Sequence, residues 1–119
     1  MKLLIVEDSP QMRQMIRAVV ADLVEDVTEC ADGAEAVAAY AAQQFSGEDR
    51  VLMDLEMPGL GGLEATRRIR AAFPDAQIII VTQYDDQHWR TAAREAGACE
   101  YLLKENLLEL REMLQRHRW

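Results

Sequence analysis

The stretch that decides the fold is Val51-Leu52-Met53-Asp54-Leu55-Glu56-Met57-Pro58-Gly59. Its first three residues are apolar and lead directly into an acid, and Pro58-Gly59 interrupts the chain soon afterwards. A short apolar run that is closed by turn residues predicts a buried strand. Asp54 then lies where this strand ends and its loop begins. Because a carboxylate beside a buried strand is costly unless something pairs with it, we expect other residues to converge on Asp54.

The composition of the chain limits what it can do. The chain has 119 residues, 50% of them hydrophobic, and a formal net charge of -8. We expect residues 1–119 to form one domain with its own core and no output domain. The negative charge promotes solubility and argues against nucleic-acid binding by this domain, because phosphates would be repelled. The apolar runs are too short for a membrane span or a signal peptide, so no membrane contact is expected.

The two cysteines, Cys30 and Cys99, form no metal or redox motif. A reduced, cytoplasmic protein is the simplest interpretation of this cysteine content. The strand order derived below places the two cysteines near opposite edges of the sheet. A disulfide between them is therefore not expected.

Five segments of the chain favour strands. The most apolar runs lie at 3–6, 51–53 and 77–81, which is typical of strands buried on both faces. Weaker runs at 27–31 and 101–103 suit the edges of a sheet. Each strand is followed by a helix signal, and such alternation predicts a parallel sheet with helices on both faces.

The helix signals are local. Ser9 followed by Pro10 predicts an N-cap and a first helical residue, and apolar residues at helical spacing follow it, Met15 among them. The other predicted helices are an alanine-rich segment at 34–44, a segment at 63–73, one capped by Asp85 or Asp86 and ended by Gly97, and a last one capped by Asn106.

With right-handed connections, central apolar strands and weaker edge strands, the strand order becomes 2-1-3-4-5. This is an α/β fold with a doubly wound five-stranded parallel sheet, of the flavodoxin-like type. In such sheets the functional site lies at the carboxyl ends of the strands, where the strand order reverses. The residues that follow the strands should therefore meet at one edge.

Those residues are polar. Glu7-Asp8 follows the first strand, Asp54 the third, Thr82 the fourth and Lys104 the fifth. Carboxylates in one crevice repel each other, and a hard divalent cation held by oxygen ligands, most suitably Mg²⁺, would relieve that repulsion. A lysine and a hydroxyl beside a metal-bound carboxylate suit a transferred phosphoryl group, which makes Asp54 the candidate nucleophile. Taken singly, each residue also has an ordinary structural explanation.

At this point the sequence resembles the receiver domain of two-component response regulators. The resemblance covers almost the whole chain and is carried by Leu-Ile-Val-Glu-Asp at 4–8, Leu-Met-Asp-Leu-Glu-Met-Pro-Gly at 52–59, Val-Thr at 81–82, and Ala-Gly-Ala-x-x-Tyr-Leu-Leu-Lys at 96–104. It implies that Asp54 accepts a phosphoryl group from a sensor histidine kinase, a phosphotransfer protein or a small acyl phosphate. The domain would catalyse only its own phosphorylation and dephosphorylation, and would not be an enzyme in the usual sense.

The resemblance also implies roles for the neighbouring residues. Asp8 would bind Mg²⁺ directly and Glu7 through water, and Asp54 and the main-chain carbonyl of Glu56 would complete the protein ligands. The Thr82 hydroxyl would hydrogen-bond the phosphoryl group, and Lys104 would form an ion pair with it.

A switch follows from the same resemblance. Tyr101 would move inward when Thr82 shifts, although a plain packing role for this edge-strand aromatic is the alternative. The output surface would be the fourth helix, fifth strand and fifth helix, at about 87–116, where a homodimer could form. The last helix also resembles those of receivers fused to helix-turn-helix DNA-binding domains, which suggests transcription regulation by analogy.

The chain departs from the family pattern beside the site. The residue after Lys104 is usually proline and is Glu105 here, and a small residue usually follows the threonine where this chain has Gln83 and then Tyr84. Gln83 and Tyr84 could cover the phosphoryl site and slow dephosphorylation by water. Glu56 adds a negative charge that could act on the same rate.

Two other classes of function remain open from the sequence. One is a Mg²⁺-dependent phosphatase or phosphotransferase, because Asp54-Leu55-Glu56 superficially resembles the Asp-x-Asp of haloacid-dehalogenase-like enzymes. Those enzymes carry the acid pair near the N-terminus and need a cap or a longer chain. The other is a docking module that does not depend on phosphorylation, against which the acids, Thr82 and Lys104 argue.

Overall fold

The computed structural model describes residues 1–116. Strands and helices alternate along the chain, and a short 3₁₀ turn precedes the last helix. The strands are β1 (Lys2–Val6), β2 (Asp26–Cys30), β3 (Arg50–Met53), β4 (Ile78–Thr82) and β5 (Glu100–Leu103). The helices are α1 (Pro10–Val20), α2 (Gly33–Ala42), α3 (Gly62–Ala72), α4 (Gln87–Ala96) and α5 (Glu109–Gln115).

The strands form one parallel sheet in the order β2-β1-β3-β4-β5. The predicted doubly wound, flavodoxin-like α/β fold is therefore confirmed. The continuous apolar runs explain the order, since every residue of β3 and β4 is buried, whereas β2 at the edge is largely accessible. Strand order reverses between β1 and β3, so their carboxyl ends flank the crevice where a site is expected.

Alternating residues of the strands feed two hydrophobic cores. On one face Leu4, Val51 and Ile80 pack with α2, α3 and α4, and on the other Ile5, Leu52 and Ile79 pack with α1 and α5. This alternation is the period-2 geometry of a strand, with both faces covered by apolar helix surface. The strand ends that carry the polar residues are therefore held in a rigid sheet.

Side-chain caps fix several helix starts, at Ser9 and Asp86 as the sequence predicts and at Asp32 in addition. The side chains of Ser9, Asp32 and Asp86 each accept a backbone N–H from the first turn of α1, α2 and α4, respectively. Gly97 ends α4 with a φ of 109°, in the left-handed region that glycine adopts without strain.

Two local predictions are wrong. Asn106 does not cap the last helix, because Lys104–Asn106 forms a 3₁₀ turn and α5 begins at Glu109, without a side-chain cap at Leu108. Lys104, the first residue of this turn, forms an ion pair with Glu7 in the site, and Leu107, which follows the turn, is buried. Met15 was expected on the inner face of α1 but is 54% exposed, because α1 contacts the sheet along a narrower stripe through Ile16 and Val20.

The remaining global predictions concern cysteines and membranes. Cys30 and Cys99 are both free, in agreement with the predicted absence of a disulfide between them. Within residues 1–116, none of the helices combines the length and the apolar character needed to cross a membrane.

Candidate functional site

The sheet register brings the predicted polar residues to one edge. Val6 lies beside Met53 and Thr82 beside Leu103, so the residues that follow β1, β3 and β5 leave the sheet at the same level as Thr82. The N–H of Asp54 donates to the carbonyl of Val6 at 3.0 Å, which extends the β1–β3 ladder into the site. The strand ends thus place these residues around a common cleft, as the sequence predicts.

The cleft has a volume of about 220 Å³. Its wall is made of the residues that follow the strands, together with the start of the β4–α4 loop. The lining residues are Glu7, Asp8, Ser9, Asp54, Glu56, Thr82, Gln83, Tyr84 and Lys104. All of the predicted site residues except Tyr101 therefore line the same cleft.

Three carboxylates form the acidic part of the cleft. One oxygen each from Glu7, Asp8 and Asp54 lies within 4.8 Å of the others, with Glu7 and Asp54 buried and Asp8 exposed. Closely spaced oxygen donors without histidine or cysteine fit a hard cation such as Mg²⁺. The residues present are therefore compatible with the predicted metal.

Glu7 is held by more contacts than the other two acids. Its carboxylate accepts the N–H of Ser9 at 3.0 Å and the ammonium of Lys104 at 2.8 Å. Its own N–H donates to the carbonyl of Cys30 at 3.0 Å, and its carbonyl accepts Arg13 at 2.6 Å. The first acid of the cleft is thus fixed through both its side chain and its main chain.

Lys104 bridges two of the acids. Its ammonium nitrogen lies 2.8 Å from Glu7 Oε1 and 3.4 Å from Asp54 Oδ1. Partial burial alone would lower the pKa of Lys104, but the hydrogen bond to Glu7 and the charge of Asp54 raise it above the usual value. Lys104 therefore stays cationic at neutral pH and offsets part of the acidic charge.

Asp54 is 6% exposed and carries a perturbed carboxyl group. Burial, reinforced by the charge of Glu7, raises its pKa from 3.8 to about 6, and Lys104 limits the rise. The carboxylate is ionised at pH 7, yet water stabilises it poorly. It is thus a desolvated anion at the floor of the cleft, poised for a cationic or electrophilic partner.

The opposite wall is formed by Thr82 and the loop that follows it. Thr82 is buried, and its hydroxyl oxygen accepts the N–H of Tyr84 at 3.2 Å. Gln83 is exposed and Tyr84 half-buried at the rim, where the Tyr84 ring stacks on Trp89 with centroids 5.6 Å apart. The hydroxyl that was predicted to meet a phosphoryl group therefore also organises this loop.

Tyr101 lies behind that loop, outside the lining of the cleft. Its hydroxyl donates to the carbonyl of Tyr84 at 2.7 Å, and the guanidinium of Arg90 lies 4.7 Å from the centre of its ring. Arg90 also forms an ion pair with Asp85 at 2.6 Å. Tyr101 is thus linked to Thr82 through one residue, Tyr84.

Sequence reasoning missed the contacts that side chains at the site make to main-chain atoms, and with them Arg13. The contacts of Arg13 and Ser9 with Glu7, and of Tyr101 with Tyr84, involve a carbonyl or an N–H and leave no pairwise signal in the sequence. Arg90 could have been noticed as a cation five residues after Asp85. Its position over Tyr101 depends on how α4 packs beside β5.

The fold and the cleft together define a doubly wound α/β domain with an acidic cleft and a bridging lysine at its sheet edge. Comparison with known proteins gives the family: the sequence model described as "Response regulator receiver domain" matches residues 3–115. The chain therefore belongs to the receiver domain family of response regulators, and the resemblance seen in the sequence is confirmed.

The chain is also similar to individual members. It is 37% identical to the response regulator GacA of Pseudomonas aeruginosa over 115 residues, which cover 96% of this chain and 52% of GacA. The crystal structure of a LuxR-family two-component response regulator from Aurantimonas sp. superposes with a TM-score of 0.83 at 33% identity, covering 93% of this chain and 79% of that one. The structure of Vibrio cholerae chemotaxis protein CheY4 superposes with a TM-score of 0.81 at 26% identity, covering 95% of this chain and 97% of that one.

These coverages differ in an informative way. The chain spans about half the length of the curated relatives that it matches, whereas it covers nearly all of CheY4. The shared part is the receiver domain, and the named LuxR-family neighbours are response regulators or DNA-binding response regulators. Two-component signalling is therefore established as the system to which the family belongs.

Proposed function

We propose that this receiver accepts a phosphoryl group on Asp54 in a Mg²⁺-dependent reaction. The observation that carries the proposal is the geometry of Asp54, a buried carboxylate that shares the cleft with Glu7 and Asp8 and lies 3.4 Å from the ammonium of Lys104. The donor would be a sensor histidine kinase, a phosphotransfer protein or a small acyl phosphate. We place the reaction in the cytoplasm, in keeping with the receiver domain family to which the chain belongs.

In the proposed reaction, a carboxylate oxygen of Asp54 bonds to phosphorus while the phosphorus–nitrogen bond of a phosphohistidine breaks. The electron pair of the broken bond stays on the imidazole nitrogen. Lys104 would form an ion pair with the transferred group, and the Thr82 hydroxyl would donate to one of its oxygens. Later attack by water on phosphorus would release inorganic phosphate and restore the Asp54 carboxylate.

Bound Mg²⁺ would offset the negative charge that the donor brings to an already acidic cleft. Its proposed ligands are the carboxylates of Asp8 and Asp54 and the main-chain carbonyl of Glu56, with Glu7 acting through water. The close spacing of the three carboxylates supports this assignment, as does the position of Glu56 in the wall of the cleft. Lys104 would then offset the negative charge of Glu7, which does not contact the metal directly.

The test of the proposal is intact mass after incubation with Mg²⁺ and acetyl phosphate or phosphoramidate. The parent protein should gain one phosphoryl group, and Asp54→Asn should gain none. Asp75→Asn, at an exposed aspartate after α3, is the control and should behave as the parent does. A gain that survives in Asp54→Asn, or no gain in the folded parent with either donor, would contradict the proposal.

We further propose that phosphorylation changes the surface formed by α4, β5 and α5, which would then contact an output domain or a second copy of the chain. The support is the short path from Thr82 through Tyr84 to Tyr101 in β5. A phosphoryl group adds about two negative charges and three acceptor oxygens, and the Thr82 hydroxyl would reorient to donate its O–H to one of them. The packing of Tyr84 and Tyr101 would shift in response.

The rate of dephosphorylation is a separate part of the proposal. Gln83 and Tyr84 lie at the rim of the cleft and would shield the phosphoryl group from water, while Glu56 would act through its charge. Gln83→Ala should therefore shorten the half-life of the phosphorylated protein several-fold. A half-life equal to that of the parent would show that Gln83 does not shield the site.

A further inference from the structure

Arg13, one turn into α1, contacts the loop that carries two of the acids. Its terminal nitrogen donates to the carbonyl of Glu7 at 2.6 Å, and its Nε donates to Glu29 of β2 at 2.7 Å. The side chain is only 19% exposed. Arg13 therefore connects the edge strand of the sheet to the main chain at the mouth of the cleft.

The contacted carbonyl has a particular importance. The Glu7 carbonyl belongs to the planar peptide unit that joins Glu7 to Asp8, so holding its oxygen fixes the plane from which Asp8 departs. On the other side, the Glu7 N–H is held by the carbonyl of Cys30. Across residues 1–116, no hydrogen bond or ion pair holds the exposed Asp8 carboxylate itself. The direction of Asp8 is thus set by its main chain.

We propose that Arg13 is a positioning residue for the Mg²⁺ site, because it holds the Glu7–Asp8 peptide unit in the orientation that aims both carboxylates into the cleft. This inference rests on the proposed function, which places Mg²⁺ there. Removing a group that hydrogen-bonds to a metal ligand and thereby orients it commonly lowers metal affinity by about 10- to 100-fold. Arg13 differs from the usual case because it orients the ligands through their backbone.

Arg17 provides a matched control on the same helix. It also forms an ion pair with Glu29, but it makes no hydrogen bond to Glu7. Arg13→Met and Arg17→Met each remove one guanidinium and one ion pair to Glu29 while keeping an apolar stem. Only Arg13→Met releases the Glu7 carbonyl.

The sign of the effect separates positioning from simple electrostatics. Deleting a cation near an acidic cluster should tighten binding of a divalent cation, because one repulsive charge has been removed. Loss of positioning should weaken it. A weaker affinity in Arg13→Met therefore cannot arise from the lost charge.

The experiment is calorimetric titration of MgCl₂ into each unphosphorylated protein, with thermal melts to establish that each variant is folded. Arg13→Met should bind Mg²⁺ at least about tenfold more weakly than the parent. Arg17→Met should bind with parental or slightly higher affinity. Arg13→Lys, which keeps a donor for the Glu7 carbonyl, should recover part of the loss and serves as the test variant if Arg13→Met does not fold.

The possible outcomes are distinct. Parental or tighter Mg²⁺ binding by folded Arg13→Met would overturn the positioning role while leaving the proposed function intact, and so would equal weakening in Arg13→Met and Arg17→Met. A parent protein that binds no Mg²⁺ would overturn the proposed metal site and this inference together.

Discussion

The two halves of the cleft are held in different ways. The acidic half consists of Glu7, Asp8 and Asp54. Within it, Glu7 is held by four contacts, to Ser9, Lys104, Arg13 and the β2 strand. In the β4–β5 half, made of Thr82, Tyr84 and Tyr101, two hydrogen bonds within residues 1–116 link the three residues in a single chain.

This difference matches two tasks. Reacting groups need a fixed geometry, and redundant contacts to rigid strands provide it. A switch needs two packings of similar free energy, and a loop attached by few bonds can exchange between them. The following predictions break or sharpen this contrast, beginning with the largest expected effect.

The acidic half should tolerate no extra atom behind Asp54. A Cβ built on Gly62 would lie 2.0 Å from the carbonyl oxygen of Asp54, so Gly62→Ala must displace the main chain of Asp54. We expect a loss of about 3 kcal/mol in the free energy of unfolding, measured in urea. Gly61→Ala is the control, since its Cβ would meet nothing nearer than 3.5 Å and should change stability by less than about 1 kcal/mol. Equal losses at both glycines would contradict this account.

The ionised carboxylate of Asp54 should itself cost stability in the absence of metal. Burial raises its pKa from 3.8 to about 6, so the folded state binds a proton that the unfolded state has already released between these values. The stability contributed by Asp54 is therefore lost as the pH rises through about 6. Asp54→Asn should be more stable than the parent by about 2 kcal/mol at pH 7.5, and the difference should shrink towards pH 5.

Urea melts at both pH values, with and without Mg²⁺, measure this difference. Mg²⁺ binds the ionised carboxylate, so adding it should stabilise the parent and reduce the advantage of Asp54→Asn. An Asp54→Asn protein that is less stable than the parent at pH 7.5 without metal would show that Lys104 already compensates the charge.

The β4–β5 half should respond more weakly to substitution. Arg90→Met removes the cation over the Tyr101 ring and the ion pair with Asp85, and we expect a loss of about 1 kcal/mol. Arg94→Met on the same helix is the control, because within residues 1–116 its guanidinium has no ion pair or ring contact. In NMR spectra, the chemical shifts of the Tyr101 ring protons should change in Arg90→Met and stay unchanged in Arg94→Met. Similar shifts in both variants would remove Arg90 as a specific support of Tyr101.

The sequence predicts which side chains meet in the cleft better than it predicts the contacts that hold them, for physical reasons. Hydrophobic runs define the strands, parallel topology brings their ends together, and Glu7, Asp54 and Lys104 follow directly. The side-chain to main-chain contacts of Arg13 and Tyr101 depend on which carbonyl the fold leaves available. A residue-by-residue pattern does not contain that information, because every residue supplies the same carbonyl.

The start of α5 illustrates the same limit and gives the smallest expected effect. Asn106 is a residue type that favours the N-cap position, but it lies in the 3₁₀ turn that begins at Lys104. At the start of α4, by contrast, the Asp86 side chain accepts the N–H of Trp89 at 3.0 Å. Asp86→Ala should therefore cost about 1 kcal/mol of stability, and Asn106→Ala should stay within about 0.5 kcal/mol of the parent. Thermal and urea melts of the two variants side by side measure this difference. A comparable loss at Asn106 would mean that the turn after Lys104 is itself capped, and that the lysine end of the cleft is held as firmly as Glu7.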